Sequence, residues 1–331
     1  MSKKVLLSLI GFALVLFFLS RDYGDKEPPR YGVSFSRFHA DELGLDWRAT
    51  FLALVRDLGV RDFRFSAHWP LTEPADDHFN FTELDFQMAE ARRVGASVIL
   101  AVGRRLPGWP ECHVPAWAEK LTPEQQQEEL LGYIKAMVRR YKDFSNLLYW
   151  QVENEPYLTL FGRQACGKEV DEGLLEREIA LVRELDPAHP VLLTDGGEFG
   201  TWLGAYRRAD VFGTTMYLYI WSPTFGKFRY PITPGFFRAK SNLVSLLTGV
   251  RKPSLVIELA AEPWLLHPII ETPFDVQFER MGLDKFEEIL IFSRKTGFDM
   301  FYVWGAEWWY WLKLHGYPQH WERALTLFHS L

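Results

Sequence analysis

The sequence has few cysteines and no long run of positive charge, and both absences exclude classes of protein. Its 331 residues include only two cysteines, Cys112 and Cys166. That number is too small for a disulfide-based scaffold or for a zinc site built from thiolates alone. Lys and Arg total 37 against 43 Asp and Glu, a net charge of −6. Nucleic acid is therefore not an expected partner.

Sequence motifs of cofactor chemistry are missing as well. No His-Glu-x-x-His motif or cysteine-pair spacing indicates zinc, and no Gly-rich Lys/Ser loop indicates phosphate transfer. The segment Gly32–Ser36, which ends the first predicted strand, lacks the glycine spacing of a dinucleotide-binding fold. The sequence thus implies no cofactor.

The longest apolar run is close to the N-terminus, where two lysines precede the uncharged segment Val5–Leu19. A helix of that length would reach about 22 Å, short of the roughly 30 Å hydrocarbon core of a bilayer. Phe18 occupies the position two before Ser20, where a cleavage site favours a small residue. We predict a signal anchor or signal peptide over residues 1–20, the uncleaved anchor being favoured, and a polar tether over residues 21–30. The rest of the chain is then exported, either membrane-anchored or secreted.

Beyond the tether, short apolar runs that suit buried strands alternate with longer amphipathic stretches. The predicted strands are Tyr31–Phe35, Val60–Ser66, Ser97–Val102, Leu147–Val152, Val191–Thr194, Val211–Tyr217, Ser254–Glu258 and Met300–Trp304. The predicted helices are Trp47–Leu58, Thr82–Val94, Pro123–Tyr141, Leu174–Leu185 and Phe274–Thr296, with a capping-box spacing at Thr82 and Asp85. This order predicts an α/β fold, a single (β/α)8 TIM barrel over residues 31–331.

Acidic residues stand at the ends of two predicted strands, where such a barrel assembles its active site. The fourth strand runs into Asn154-Glu155-Pro156, and the seventh ends at Glu258 after an apolar run in which an unpaired charge would be costly. Two carboxyl groups at one barrel mouth suit glycosidic cleavage, which needs a proton donor and a nucleophile. Glu262 is the alternative to Glu258 as nucleophile. A strand-end glutamate could instead cap a helix or pair with an arginine, which is the alternative role for Glu155 and Glu258.

On these residues the sequence resembles clan A of the glycoside hydrolases, the group that includes the family 5 cellulase-like enzymes. The resemblance spans residues 31–312, and its most specific element is Asn-Glu-Pro at the end of the fourth strand. It implies that Glu155 is the general acid/base and Glu258 the nucleophile of a retaining enzyme, with Asn154 binding the sugar 2-hydroxyl.

The resemblance extends to three further residues. Arg64 matches the second-strand arginine that holds the nucleophile, and Tyr217 matches the tyrosine that hydrogen-bonds it. Trp304 matches the tryptophan that forms a platform for the sugar ring. Thr215 stands where the clan often has histidine, a departure that leaves the particular family open.

Other loop residues are candidates on position alone. His68 and Trp69 lie at the end of the second predicted strand and are expected to line the pocket. Cys112 and Cys166 follow the third and fourth strands, so neighbouring loops can bring them together. We expect a disulfide between them, with two free thiols as the alternative.

These features predict a retaining glycoside hydrolase that acts on a β-linked oligo- or polysaccharide. Its expected partners are a carbohydrate substrate and, through an uncleaved N-terminal segment, a membrane. The chain is expected to be monomeric. Two alternatives stay open: a non-hydrolytic carbohydrate-binding protein on the same barrel, and a transglycosylase.

Overall fold

The computed structural model describes residues 21–24, 28–108, 111–158, 170–222, 226–265 and 267–329. Eight parallel strands close a barrel in the order β1-β10-β9-β6-β5-β4-β3-β2. They are β1 (Arg30–Phe35), β2 (Asp62–Ser66), β3 (Ser97–Val102), β4 (Leu147–Val152), β5 (Val191–Asp195), β6 (Val211–Met216), β9 (Ser254–Ala260) and β10 (Met300–Trp304). The predicted (β/α)8 barrel is confirmed.

A hairpin outside the barrel was not predicted. Strands β7 (Tyr219–Ser222) and β8 (Gly226–Arg229) pair in antiparallel fashion directly after β6, with Tyr219 opposite Arg229. The hairpin occupies part of the long connection between β6 and β9.

Helices cover the outside of the barrel. They are α1 (Arg37–Glu42), α2 (Trp47–Arg56), α3 (Trp69–Thr72), α4 (Thr82–Arg93), α5 (Pro123–Tyr141), α6 (Glu172–Leu185), α7 (Leu203–Arg208), α8 (Pro234–Thr248), α9 (Phe274–Arg280), α10 (Leu283–Arg294), α11 (Ala306–Leu314) and α12 (Gln319–His329). The single helix predicted over Phe274–Thr296 is wrong. Gly282 has extended backbone angles (φ −74°, ψ 170°) and divides that stretch into α9 and α10.

Strand side chains alternate between two environments, as the pleat requires. Phe63 and Phe65 point outward and pack in the large core between strands and helices. A smaller apolar cluster includes Ile99, whose chain neighbours Val98 and Leu100 belong to the large core. By the same alternation, Arg64 points into the barrel. Polar side chains such as that of Arg64 therefore point into the barrel near the carboxyl ends of the strands, where the barrel has its mouth.

The predicted anchor over residues 1–20 and residues 25–27 of the tether lie outside the described residues. Within the described ranges, no helix combines the length and the apolar character needed to cross a membrane. The boundaries at residues 20 and 30 stay predictions.

The predicted capping box at Thr82 is wrong, and a box occurs at another helix. Thr82 is the first residue of α4 and its side chain caps nothing; its amide instead donates to Asn80 Oδ1 at 3.2 Å. At α5, the Thr122 hydroxyl accepts from the Gln125 amide, and Gln125 Oε1 accepts from the Thr122 amide at 3.0 Å. The same spacing thus forms a box at α5, where the threonine itself is the extended N-cap residue, and not at α4, where Phe81 is the N-cap and Thr82 already lies inside the helix.

Thr122→Ala is expected to lower the free energy of unfolding by about 1 kcal/mol, because an orphan amide at the start of α5 loses its acceptor. Thr82→Ala is the matched control and should change stability by less than about 0.5 kcal/mol. Urea unfolding of both variants measures the difference. Equal losses in the two variants would contradict the assignment of the box to α5.

Candidate active site

A buried arginine connects three strands at the mouth of the barrel. The side chain of Arg64 on β2 is 1% exposed. Its Nη1 donates to Glu258 Oε1 at 2.6 Å, its Nη2 to Asn154 Oδ1 at 2.7 Å and its Nε to Gln151 Oε1 at 2.8 Å. The fork of guanidinium donors thus fixes the side chains at the ends of β4 and β9.

Glu258 receives a second hydrogen bond from the opposite side. The Tyr217 hydroxyl donates to Glu258 Oε2 at 2.8 Å. Burial, followed by the charges of Glu258 and Glu155, raises the pKa of Tyr217 well above its usual range. Tyr217 is therefore a neutral donor, and each oxygen of Glu258 accepts one hydrogen bond, from Arg64 and from Tyr217.

Glu155 has a different environment. Its Oε1 accepts a 2.8 Å hydrogen bond from the Thr215 hydroxyl on β6, and its amide donates to Thr194 Oγ1 at 2.8 Å. Burial, and then the charges of Glu258 and Glu111, raise the pKa of Glu155 well above its ordinary value. Glu155 therefore keeps its proton to higher pH than an ordinary glutamate does.

The backbone around Asn154 is strained. Glu153 and Glu155 both have positive φ angles, +56° and +46°, which non-glycine residues rarely adopt. Such strain persists only where surrounding contacts hold it, and it concentrates at functional sites. The positive φ angles of Glu153 and Glu155 bend the chain so that Asn154 and Glu155 both lie at the mouth of the barrel.

Both glutamates line one cleft of about 510 Å³. Its walls come from the loops after β3, β4, β5, β6 and β9, and its lining residues are Glu111, Glu155, Leu158, Gly196, Gly197, Glu198, Phe199, Thr215, Tyr217, Ile220, Tyr230, Glu258 and Trp264. The mixture of aromatic rings and carboxyl groups suits a ligand with apolar faces and hydroxyl edges.

Two further glutamates of the cleft were not predicted as site residues. Glu111 pairs with Arg105 at 2.9 Å, and burial raises its pKa. Glu198 accepts from the Tyr217 amide at 2.9 Å, and burial raises its pKa to about 7. Glu111 follows β3 by nine residues in a loop, so strand ends alone gave no signal for it.

Trp304 and Glu262 form a group of their own. The Trp304 Nε1 donates to Glu262 Oε1 at 2.7 Å, and Glu262 Oε2 lies 2.6 Å from His39 Nε2. The His39 ring stacks on Trp304 with centroids 5.6 Å apart. Glu262 is not among the residues that line the cleft shared by Glu155 and Glu258, so we do not assign it as the alternative nucleophile.

His68 and Trp69 lie below the surface of the mouth. His68 is 1% exposed with its Nε2 3.2 Å from the Pro107 carbonyl, and burial lowers its pKa well below its usual value. Trp69 is fully buried, donates from Nε1 to Glu73 Oε2 at 2.7 Å and stacks on Tyr133. The expectation that Trp69 lines the pocket is therefore not met, because the first turn of α3 directs its ring into the core.

The predicted disulfide is outside what the structure describes. Cys112 lies in the loop after β3, where its backbone and that of Arg105 form an isolated antiparallel β-bridge. Cys166 falls in the range 159–169, outside the described residues. The pairing stays a prediction.

Beneath the site, two buried carboxyl groups share a hydrogen bond. Glu153 accepts the amides of Arg104 and Arg105 at 2.9 and 2.7 Å, which ties the loop after β3 to the end of β4. Glu178 on α6 hydrogen-bonds to Glu153, and burial followed by the charge of Glu153 raises the pKa of Glu178 well above its ordinary value. Burial raises the pKa of Glu153 as well, so protonation of this buried pair persists to higher pH than in an ordinary glutamate.

Comparison with known proteins gives matches to glycosidases. No protein-family model matches the chain. The probable mannan endo-1,4-β-mannosidase F of Aspergillus flavus is 30% identical over 123 residues, covering 34% of this chain and 25% of that protein. The Aspergillus oryzae protein of the same name gives the same values. The chain thus spans about a quarter of the length of the curated relatives that it matches.

Solved structures share the barrel. A β-galactosidase from the Antarctic haloarchaeon Halorubrum lacusprofundi has a TM-score of 0.58 at 14% identity, covering 83% of this chain and 52% of that chain. GH5_18 from Streptomyces cattleya, solved in complex with GlcNAc, has a TM-score of 0.56 at 16% identity, covering 85% of this chain and 71% of that one. At these identities the likeness shows the fold alone.

The closed eight-stranded parallel barrel is the fold that these solved glycosidases share. Together with the mannosidase relatives, it confirms the resemblance to clan A of the glycoside hydrolases.

Glu178→Gln is expected to reduce the pH dependence of stability. A carboxyl group whose pKa is raised in the folded state stabilises that state fully at low pH, and this contribution is lost as the pH rises above the ordinary glutamate range. Glutamine keeps a donor to Glu153 without a titrating proton. The free energy of unfolding should therefore fall less in the variant than in the wild type between about pH 5 and about pH 8.

Glu153→Gln is the matched control for this prediction. It keeps the side-chain size, but a neutral amide oxygen replaces the carboxylate that accepts two backbone amides. We expect a loss of about 1–3 kcal/mol in unfolding free energy at pH 5, whereas Glu178→Gln should keep the acceptor of the two amides and lose less there. If the free energy of unfolding of Glu178→Gln depends on pH as steeply as that of the wild type, the raised pKa of Glu178 is contradicted.

Proposed function

We propose that the chain is a retaining glycoside hydrolase that cleaves β-linked O-glycosidic bonds, with Glu258 as nucleophile and Glu155 as acid/base. One observation carries the proposal: two carboxyl groups face the same cleft in opposite electrostatic environments. Glu258 is bound by a guanidinium and a hydroxyl group, while Glu155 is buried beside another carboxylate and has a raised pKa. Retaining glycosidases need this division into a carboxylate and an acid.

The proposed first step is attack by Glu258 on the anomeric carbon while Glu155 gives its proton to the leaving oxygen. The bond from the anomeric carbon to that oxygen breaks, and a glycosyl ester forms on Glu258. In the second step Glu155, now ionised, takes a proton from water, which attacks the anomeric carbon and releases Glu258. Departure of the negative charge from Glu258 in the ester lowers the pKa of Glu155, so one residue serves as acid and then as base.

Neighbouring side chains supply orientation. Arg64 and Tyr217 hold both oxygens of Glu258, so its attacking direction is fixed before substrate binds. Asn154 uses its carbonyl oxygen to accept from Arg64, which points its amide nitrogen away from the arginine. That nitrogen is the proposed donor to the sugar 2-hydroxyl. Trp304, 9% exposed, is the proposed sugar platform, and His68, behind the loop at Pro107, is proposed to support the pocket wall.

β-Mannosides are the first substrates to test. The curated relatives are named as mannan endo-1,4-β-mannosidases, and a solved exo-β-1,4-mannosidase from an Opitutaceae bacterium shares the barrel with a TM-score of 0.52. β-Galactosides come next, because a β-galactosidase shares the fold. Aryl glycosides of both sugars together with mannan oligosaccharides form the panel.

Glu258→Gln should lower kcat by a factor of about 10⁴ or more on whichever substrate the wild type hydrolyses, because the ester intermediate cannot form. Glu262→Gln is the matched control four residues further along the same segment. It leaves Glu258 intact, so its loss of kcat should be far smaller than that of Glu258→Gln. The release of reducing sugar or aryl alcohol measures both. Comparable activity in Glu258→Gln and wild type would contradict the assignment of the nucleophile. Sugar binding without any turnover by wild type would favour the carbohydrate-binding alternative.

Thr215→Val is expected to move the alkaline limb of the kcat/KM profile to higher pH. The Thr215 hydroxyl hydrogen bond lowers the pKa of Glu155 against the effect of burial, so its removal raises that pKa further. The protonated acid then persists to higher pH. A pH–rate series on one aryl glycoside measures the limb. An unchanged or lowered limb would contradict the role of Glu155 as the acid.

A further inference from the structure

Helix α8 turns apolar side chains toward solvent. Leu243, Leu246 and Leu247 lie at the spacing of one helix face, and Val250 follows just after the helix ends at Thr248; their exposed fractions are 53%, 78%, 57% and 51%. We call these four residues the α8 stripe. The segment from residue 241 to 250 contains no charged residue. A contiguous exposed apolar surface of this kind marks a place of interaction.

The stripe lies at the end of the barrel opposite to the cleft. Val250 comes shortly before β9 begins at Ser254. Lys252 Nζ donates to the Ala209 carbonyl at 2.6 Å, just before β6 begins at Val211. The stripe is therefore next to the strand starts, whereas Glu155 and Glu258 lie near the strand ends.

The first described residues of the chain lie at the same end. The Tyr23 amide donates to the Lys295 carbonyl at 3.0 Å, directly after α10. Helix α10 is a neighbour of α8, since the rings of Phe237 and Phe292 have centroids 6.2 Å apart and Arg238 donates to the Gly297 carbonyl. The chain thus enters the barrel one helix away from the stripe.

The distance to the apolar N-terminal run is short. Val5–Leu19 ends four residues before Tyr23. Four residues in full extension span at most about 14 Å. A bilayer that holds this run must therefore come within that distance of Tyr23, which places it against the end of the barrel that carries the stripe.

We propose that the α8 stripe rests on a phospholipid bilayer, so that the barrel stands on the membrane with its cleft directed away from it. Two further features suit lipid. Exposed Arg251 follows the stripe and is placed to meet anionic headgroups, and Ile291 on α10 adds an apolar side chain that is 51% exposed. This proposal concerns orientation at a membrane and is independent of the chemistry in the cleft.

Photo-crosslinking of the full chain in vesicles of phosphatidylcholine and phosphatidylglycerol tests it. One protein carries p-benzoylphenylalanine in place of Leu246, and the matched control carries it in place of Ile270. Ile270 is 52% exposed and apolar, but it follows β9 at the cleft end. Since both positions are exposed, near-ultraviolet circular dichroism should equal that of the wild type. We expect lipid adducts at position 246 to exceed those at position 270 several-fold.

The other outcomes overturn the proposal, and each names a different occupant. Crosslinks from position 246 to the peptide containing residues 5–19 would show that the chain covers its own stripe. Crosslinks between two chains would show that a second copy covers it. Equal lipid labelling at both positions, or labelling at neither, would show that this face has no preference for the bilayer. None of these readouts depends on glycosidase activity, so failure here leaves the proposed function standing.

Discussion

The guanidinium of Arg64 is the constraint on which the site depends. It is a permanent charge inside a barrel, and its three hydrogen bonds reach a carboxylate on β9 and two amide side chains at the end of β4. Removing one partner of such a buried pair costs about 3–5 kcal/mol, because the other charge is left without compensation. Glu258 and Asn154 are therefore held by the same residue, and neither can turn away without exposing a buried charge.

The end of strand β6 and the residue after it supply one hydrogen bond to each of the two glutamates. Thr215 and Tyr217 are two residues apart, and the first donates to Glu155 while the second donates to Glu258. Burial, and then the charge of nearby Glu258, raise the pKa of Glu155, so the ion pair of Glu258 with Arg64 acts on the proposed acid through the proposed nucleophile. Below them, Glu153 accepts the amides of Arg104 and Arg105 and belongs to the strained turn that carries Glu155.

Much of this arrangement could be predicted from the sequence, and the failures have physical reasons. Strand order and strand ends located Glu155 and Glu258, and pleat alternation directed Arg64 inward. The importance of Thr215 was not predicted, because a hydroxyl has no pattern of its own; it first attracted notice as a departure from a resemblance. Trp69 was expected at the mouth but is buried, because the short helix α3 starts there and rotates its ring. Glu111 belongs to a loop, where periodicity carries no information.

The most direct test of the account is the mass of the peptide that contains Glu258 after incubation with an activated 2-deoxy-2-fluoro glycoside of the sugar that the wild type hydrolyses. The fluorine slows both steps by destabilising the oxocarbenium-like transition state, and the activated leaving group lets the first step proceed, so the glycosyl ester accumulates. The account predicts one added fluoroglycosyl group, located on Glu258 and missing in Glu258→Gln. Attachment to Glu262 or to any other residue, or turnover with inverted configuration and no adduct, would contradict it.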